Sequence, residues 1–206
     1  LIGLVFGIGM AATILVGQAM GARNLAQAKQ VMGTAATVFG LASAGMAALG
    51  WFVSRHLLGW MGTPDVALDL AESYLRVIFL AIPLLYLFAF VQAVLRGAGD
   101  SRTPFLFLTL VVLLDMALNP LFIFGWGPVP AFGITGSALA TLIANGISLA
   151  ALLLWLHAKR HPLWIGWQER ALFRPNGAIV RTLISKGLPM GVQMVMISMA
   201  MIMMIS

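Results

Sequence analysis

The chain of 206 residues is 61% hydrophobic and only 9% charged, with a mean hydropathy of +1.01. Soluble domains are about 45–50% apolar and about 25% charged, so this composition excludes a soluble globular protein and indicates one embedded in lipid. The absence of cysteine excludes disulfides and thiolate metal sites.

Six apolar runs are long enough to cross a bilayer, which requires roughly 20 mostly apolar residues. Lipid offers no partner to backbone N–H groups, so runs of this length are predicted to be helices. None alternates between apolar and polar residues as a β-barrel strand does. The fold class is therefore an all-α membrane protein, a polytopic helical bundle with six transmembrane helices. The predicted spans are 1–20, 31–53, 68–95, 104–126, 133–157 and 188–206.

The connections between these spans carry the basic charge unevenly. The connections on one side of the membrane hold most of the Lys and Arg residues, whereas those on the opposite, outer side hold only Arg55 and Arg76. By the positive-inside rule the more basic side is cytoplasmic. The net charge of +6 is thus explained by membrane orientation, and no nucleic-acid partner is expected. Three alternate connections hold 10 of the 12 Lys and Arg residues, namely Arg23, Lys29, Arg96, Arg102, Lys159, Arg160, Arg170, Arg174, Arg181 and Lys186.

Charged residues mark the outer end of the third span. Glu72 and Arg76 are four residues apart, which places them on one face of a helix. Together with Asp65 and Asp69 they are predicted to form a solvated end of this helix.

The connection at 96–104 has the residues of a tight reversal. Gly97 and Gly99 permit the turn, Asp100 or Ser101 can cap the next helix, and Pro104 suits its first turn. A phosphate-binding loop is the alternative, but no strand precedes these glycines and no Lys-Ser/Thr pair follows them.

The fourth span carries an ionisable residue, Asp115, at its centre. Asn119 follows at i+4 on the same helix face, about 5–6 Å away. Pro120 has no N–H and leaves the carbonyl of Met116 without its helical donor. Such a cluster predicts a site for a proton, a small cation or a cationic substrate. The structural alternative is a neutral carboxyl group that is hydrogen-bonded to a neighbouring helix.

The fifth span supplies polar residues at the same depth. Asn145 lies 12 residues into this span and Asp115 lies 11 residues into the antiparallel fourth span, so both are near the midplane. Thr141, one turn outward, is expected at the level of Asn119. The pair fits either a cavity shared with the fourth span or ordinary hydrogen bonds between helices.

Gln92, one turn inside the basic end of the third span, is a further candidate. It either lines a path through the bundle or bonds a backbone carbonyl. The candidate binding residues are therefore Asp115, Asn119, Gln92, Thr141 and Asn145.

No catalytic constellation is present in the sequence. The three histidines lie at span ends, and there is no Ser-His-Asp or HExxH pattern. The chain is therefore not expected to be an enzyme or to hold a metal.

The longest connection, 159–187, looks like a linker between two halves, with five spans before it and one after it. Because the chain begins and ends within apolar runs, it is expected to be a fragment of a longer protein.

Five stretches in this order resemble the multidrug and toxic compound extrusion (MATE) family of efflux transporters. They are GQAMGARN at 17–24, YLRVIFLAIPL at 74–84, VLRGAGDSRTP at 94–104, LNPLFIFG at 118–125 and FGITGSALAT at 132–141. The resemblance implies twelve helices in two six-helix bundles. It assigns 1–158 to the N-terminal bundle without its first helix, 159–187 to the cytoplasmic inter-lobe loop and 188–206 to the start of the C-terminal bundle.

The resemblance also implies a function. It implies a monomeric, multi-pass antiporter of the bacterial cytoplasmic (inner) membrane that exports organic, cationic or amphipathic drugs and toxins. Its partners would be the small-molecule drug and membrane lipid, with no cofactor other than the coupling ion, H⁺ or Na⁺. Many members carry Asn before Asp at this spacing, whereas here Asp115 comes first and Asn119 second. Whether Asp115 or an acid of the first helix is the main cation carrier stays open.

Two alternatives remain. A lipid-linked oligosaccharide flippase of the same superfamily would need more Arg and Lys within its cavity to hold pyrophosphate. A non-transporting membrane subunit would use the polar residues only to join helices.

Overall fold

The computed structural model describes residues 2–60, 65–125, 130–166, 169 and 172–205. Within these ranges the chain forms six α-helices and no strand, which confirms the predicted all-α class. The predicted span ends at 1, 126 and 206, and the loop residue Arg170, lie outside the described residues. The helices are α1 Ile2–Gly21, α2 Leu25–Trp60, α3 Asp65–Gly97, α4 Arg102–Phe124, α5 Ile134–Ala158 and α6 Gly177–Ile205.

Four helices of the described part are long and apolar enough to cross a membrane. A shorter apolar helix, Gly7–Gly21, belongs to α1. The count of six spans therefore stays a prediction. The four qualifying segments are Leu25–His56, Leu68–Gly97, Arg102–Phe124 and Ile134–Ala158.

Two helices begin well before their predicted spans. α2 begins after Asn24, whose Oδ1 accepts a hydrogen bond from the backbone N of Gln27 at 3.0 Å. α6 begins at Gly177 after Asn176, whose Oδ1 accepts from the backbone N of Ala178 at 3.0 Å. Residues 177–187 of the predicted connection 159–187 are therefore helical, and its role between two lobes stays a prediction. Hydropathy locates the part of a helix that lies in lipid, whereas a capping side chain locates its start.

The chain divides into two compact units. The first unit comprises residues 1–42, 89–104 and 156–206, and the second comprises 43–88 and 105–155. All ten basic residues assigned to the cytoplasmic side belong to the first unit, while Arg55 and Arg76 belong to the second. The orientation and the division into bundles at the long connection stay predictions.

Close helix contacts in the first unit depend on glycine. A Cβ at Gly97 of α3 would lie 2.5 Å from the backbone O of Thr13 in α1, and a Cβ at Gly17 would lie 2.9 Å from the backbone O of Gly97. Gly7 of α1 meets the backbone of Gly187 in α6 in the same way. Small residues let backbones approach this closely, which is how helices pack where lipid removes the hydrophobic driving force.

The turn between α3 and α4 confirms its sequence pattern. Gly99 has a φ of 91°, in the left-handed region that favours glycine. Asp100 Oδ1 accepts hydrogen bonds from the backbone N of Arg102 and of Thr103, each at 3.1 Å, and so caps α4. Pro104 lies in the first turn of that helix.

The same aspartate connects the turn to the chain that follows α5. Its Oδ2 lies 3.8 Å from Nε2 of His161. Burial lowers the pKa of His161 below its ordinary value, and the charge of Asp100 only partly opposes this. Burial raises the pKa of Asp100, but hydrogen bonds from the Thr103 side chain and from the backbone of Thr103 and Arg102, with the nearby His161, together lower it.

The charged residues at the start of α3 differ from the prediction of a solvated cluster. The side chain of Glu72 is only 7% exposed and lies between Arg55, at 3.0 Å, and Arg76, at 2.6 Å. Arg76 also lies over the ring of Trp51, 5.4 Å from its centroid. Asp69 is 90% exposed as expected, and the side chain of Asp65 lies outside the described residues. The carboxylate of Glu72 joins α2 to α3. Its two arginine partners offset the free-energy cost of burying its charge.

We expect Gly97→Ala to lower the midpoint of thermal unfolding of the purified full-length protein. The added methyl group meets the backbone of Thr13, and overpacking of this kind costs about 1–3 kcal/mol. Gly45→Ala is the matched control, because a Cβ at Gly45 of α2 meets nothing within 4 Å. Equal midpoints for the two variants would contradict the proposed close approach.

We expect His161 to make stability fall as the pH is lowered. Because its folded pKa is below the ordinary value of 6.5, the unfolded chain binds a proton first, and stability is lost as pH falls below about 6.5. Asp100, with an ordinary value of 3.8, changes stability only at lower pH. Unfolding midpoints between pH 7 and pH 5 should therefore fall less in His161→Gln than in the unmodified protein. Parallel profiles would show that His161 does not contribute.

Candidate functional site

The site is built around Asp115, half-buried near the middle of α4. Asn119, one helical turn further, directs Nδ2 back to it and donates to Oδ2 at 2.9 Å. The same Nδ2 also donates to the backbone O of Asp115 at 3.1 Å. The predicted pairing of the carboxylate and the amide on one helix face is thus present.

The antiparallel helix α5 supplies the second donor. Thr141 Oγ1 donates to Asp115 Oδ1 at 3.0 Å, so each carboxylate oxygen accepts one hydrogen bond. The connection between α4 and α5 fixes this pairing, because the backbone N of Phe132 donates to Phe122 O at 3.0 Å and that of Gly133 to Ile123 O at 3.2 Å. The geometry therefore supports the depth comparison that placed Thr141 beside the fourth span.

Asn145 acts on Thr141 and does not donate to Asp115. It is only 6% exposed, and its Nδ2 donates to the backbone O of Thr141 at 2.8 Å. This hydrogen bond lies within α5, because residues at i and i+4 of one helix are within mutual reach. The membership of Asn145 in the site stays a prediction.

Gln92 belongs to the first unit, whereas the other four candidate residues belong to the second. It is 5% exposed, and its Nε2 has no hydrogen-bond partner within the described part of the chain. Its membership of the site stays a prediction.

Sequence reasoning missed Ser148, which is buried on α5. Thr141, Asn145 and Ser148 follow the i, i+4, i+7 spacing of one helix face, a signal that was present in the sequence. Ser148 extends this polar helix face past Asn145. Its Oγ has no hydrogen-bond partner among the described residues.

The charge of this site is unbalanced. Asp115 accepts hydrogen bonds from an amide and a hydroxyl, both neutral, and no ion pair to it occurs in the described ranges. The two neutral donors hold the carboxyl group in place but supply no positive charge opposite it. With the carboxylate, the Asn119 amide oxygen and the Thr141 hydroxyl are hard oxygen ligands that suit an alkali cation. The carboxylate itself can take up a proton.

Comparisons with known proteins agree with this arrangement of helices. A sequence model of the MatE family matches residues 1–121. The chain is 34% identical over 206 residues to the probable multidrug resistance protein YoeA of Bacillus subtilis, covering all of this chain and 44% of that protein. It is 32% identical over 147 residues to the FAD transporter of Shewanella oneidensis, covering 71% of this chain and 32% of that protein.

A solved structure shows the same fold. It is the outward-facing conformation of a multidrug resistance MATE family transporter of the MOP superfamily, with a TM-score of 0.83 and 26% identity. The match covers 98% of this chain and 43% of that one. The chain thus spans less than half the length of the relatives it matches.

We expect Thr141→Val to weaken the contact between α4 and α5. The substitution keeps the shape of the side chain but removes the donor to Asp115 Oδ1, and hydrogen bonds to charged groups contribute about 1.5–3 kcal/mol. The thermal unfolding midpoint of the full-length protein should fall. Thr141→Ser keeps the hydroxyl and serves as the control. If both variants unfold at the same temperature, the hydroxyl does not carry this contact.

Proposed function

Because this chain belongs to the MATE family of membrane transporters, we propose that it forms part of a cation-coupled antiporter that exports organic, cationic or amphipathic compounds. The family is one of transporters and not of enzymes. The chain spans 44% of the length of YoeA, so the activity of the whole protein is part of the proposal. The proposal includes a monomeric transporter in the bacterial cytoplasmic membrane, coupled to H⁺ or Na⁺.

One observation carries the proposal, the carboxylate of Asp115 held by neutral donors within an apolar helix. Ionisable groups at this depth are costly, and they are found where ions, protons or charged substrates pass. A carboxyl group that served only to join helices would be replaceable by an amide. The ion-coupled role, in contrast, requires a group that changes its charge or binds a cation.

Cation uptake must rearrange the hydrogen bonds of the site. If Oδ2 of Asp115 takes a proton, it becomes a donor, and Asn119 must turn its amide to present oxygen in place of Nδ2. If the site binds Na⁺, the amide oxygen of Asn119 must turn toward the ion, whereas Thr141 Oγ1 can coordinate the ion through a lone pair while its O–H still donates to Oδ1. Either event replaces the present hydrogen bond from Asn119 Nδ2 to Asp115 Oδ2, which lies within α4 next to Pro120.

The Asp115 carboxylate can couple ion and substrate. An ion and a cationic substrate that both require the Asp115 carboxylate exclude each other, and each then weakens the binding of the other by the same factor. Alternating access arises if the two occupied states favour opposite openings of the transporter. The site would thereby exchange an incoming ion for an outgoing compound.

An anionic substrate is the competing possibility, since one relative is named an FAD transporter and the flippase alternative would carry pyrophosphate. Such a substrate requires Lys or Arg at its site. The network on α4 and α5 consists of one acid, two amides and a hydroxyl, and therefore favours a cation.

We expect Asp115→Asn to abolish coupled export. In vesicles containing the full-length protein, uptake of a fluorescent organic cation should fall at least about tenfold, because loss of a charge-assisted contact of 1.4 kcal/mol or more has that effect. Imposing the proton gradient and the sodium gradient in turn identifies the coupling ion in the unmodified protein.

Asp69→Asn is the matched control, because this acid is also in the second unit but is 90% exposed. It should leave transport unchanged. Coupled export by Asp115→Asn at the unmodified rate would overturn the proposed site, and export unaffected by either gradient would overturn the proposed coupling.

A further inference from the structure

We propose that the first unit carries a second binding site, for a phosphate-bearing anion, on the side that the positive-inside rule assigns to the cytoplasm. An open cavity of about 810 Å³ lies there, within the size range of ligand sites. Its lining includes Lys29 of α2, His157 at the end of α5, and Arg160, Trp164 and Glu169 of the following connection. The proposal shares no residue with the Asp115 site and does not depend on it.

The wall formed by the connection is fixed to α2. Lys29 Nζ binds both carboxylate oxygens of Glu169, at 2.8 and 3.0 Å, and Glu169 Oε2 also accepts from the backbone N of Gly166 at 3.3 Å. The hydrogen bond from Lys29 lowers the pKa of Glu169, so this carboxylate stays ionised and paired. The Lys29 side chain is only 18% exposed, although it borders the cavity.

A second contact further along the connection holds the same wall. Thr37 Oγ1 of α2 donates to the backbone O of Phe173 at 2.7 Å. A Cβ at Gly33 would lie 2.5 Å from the backbone O of Leu172, so the glycine lets the connection lie directly on the helix. A cavity with walls fixed in this way needs little reorganisation to receive a ligand.

One cationic group that borders the cavity has no anionic partner within the described residues. Lys29 and Glu169 neutralise each other, whereas Arg160 is exposed and makes no ion pair within the described part of the chain. Arg160 lies in the turn that follows α5, with a φ of 48°, and its backbone N–H donates to the backbone O of His157 at 3.1 Å. The guanidinium group provides a planar set of donors that matches phosphate oxygens.

An aromatic wall completes the site. The rings of His157 and Trp164 lie 5.1 Å apart between centroids, at an angle of 56°. Tryptophan is typical of the membrane–water interface, and basic pockets on the cytoplasmic side of transmembrane helices bind phosphate headgroups. The phosphate anion has two possible sources, the headgroup of an anionic phospholipid and a soluble phosphate ester.

The test uses the full-length protein in lipid nanodiscs. Thermal unfolding is measured in phosphatidylcholine discs, in the same discs with glycerol phosphate added, and in discs that contain phosphatidylglycerol. We expect at least one phosphate source to raise the unfolding midpoint of the unmodified protein. We expect Arg160→Gln to need about tenfold more of that source for the same rise, since one charged hydrogen bond of about 1.5 kcal/mol has this effect.

Lys159→Gln is the matched control, because Lys159 is a neighbouring exposed cation at the same end of α5 and is not among the residues that line the cavity. It should respond like the unmodified protein. A rise with phosphatidylglycerol alone identifies a lipid headgroup, and a rise with glycerol phosphate identifies a soluble ester. Equal responses from both variants, or no response to either source by the unmodified protein, would overturn the proposal. If Arg160→Gln does not fold, the unmodified protein's response to the two sources still decides.

Discussion

The carboxylate of Asp115 imposes the main constraint on this structure. An acid near the centre of an apolar helix needs donors at fixed positions, and the chain supplies one from the same helix, Asn119, and one from the next, Thr141. The helix spacing of four residues provides the first donor, and the short connection between α4 and α5 provides the second. Because both donors are neutral, the carboxylate keeps its capacity to attract a cation. The hydrogen bond from Thr141 joins α5 to α4, whereas that from Asn119 lies within α4, so the proposed binding of a cation would change contacts at this point of the bundle.

Two other carboxylates of the chain, Glu72 and Glu169, have cationic partners. Glu72 is buried to a greater degree than Asp115, but two arginines neutralise it, so it joins helices and has no charge left to offer. Glu169 is neutralised by Lys29 and fixes the long connection to α2. Among these carboxylates, Asp115 is distinguished by the neutrality of its partners, and that difference, not its burial, supports a role in ion coupling.

Much of this could be predicted from the sequence, where local rules apply. Helical spacing gave the pairing of Asp115 with Asn119, and counting residues along antiparallel spans brought Thr141 to the same depth. The direction of the Asn145 amide, along its own helix toward Thr141 O, depends on a rotamer choice that depth does not determine. The burial of Glu72 was missed because charges at span ends are ordinarily solvated, and only the packing of α2 on α3 reverses this. The early start of α6 was missed because hydropathy identifies the apolar part of a helix and not the more polar turns that precede it.

The proposed ion-coupled role requires the Asp115 carboxylate to bind the coupling cation. Infrared difference spectroscopy of the full-length protein tests it most directly, because carboxylate and carboxyl bands respond to protonation or to ion binding. Acidification should produce a carboxyl band, or addition of Na⁺ should shift the carboxylate bands, and this change should be lost in Asp115→Asn and reversed when the exported compound is added. Identical difference spectra from the two proteins, with both cations, would contradict the account.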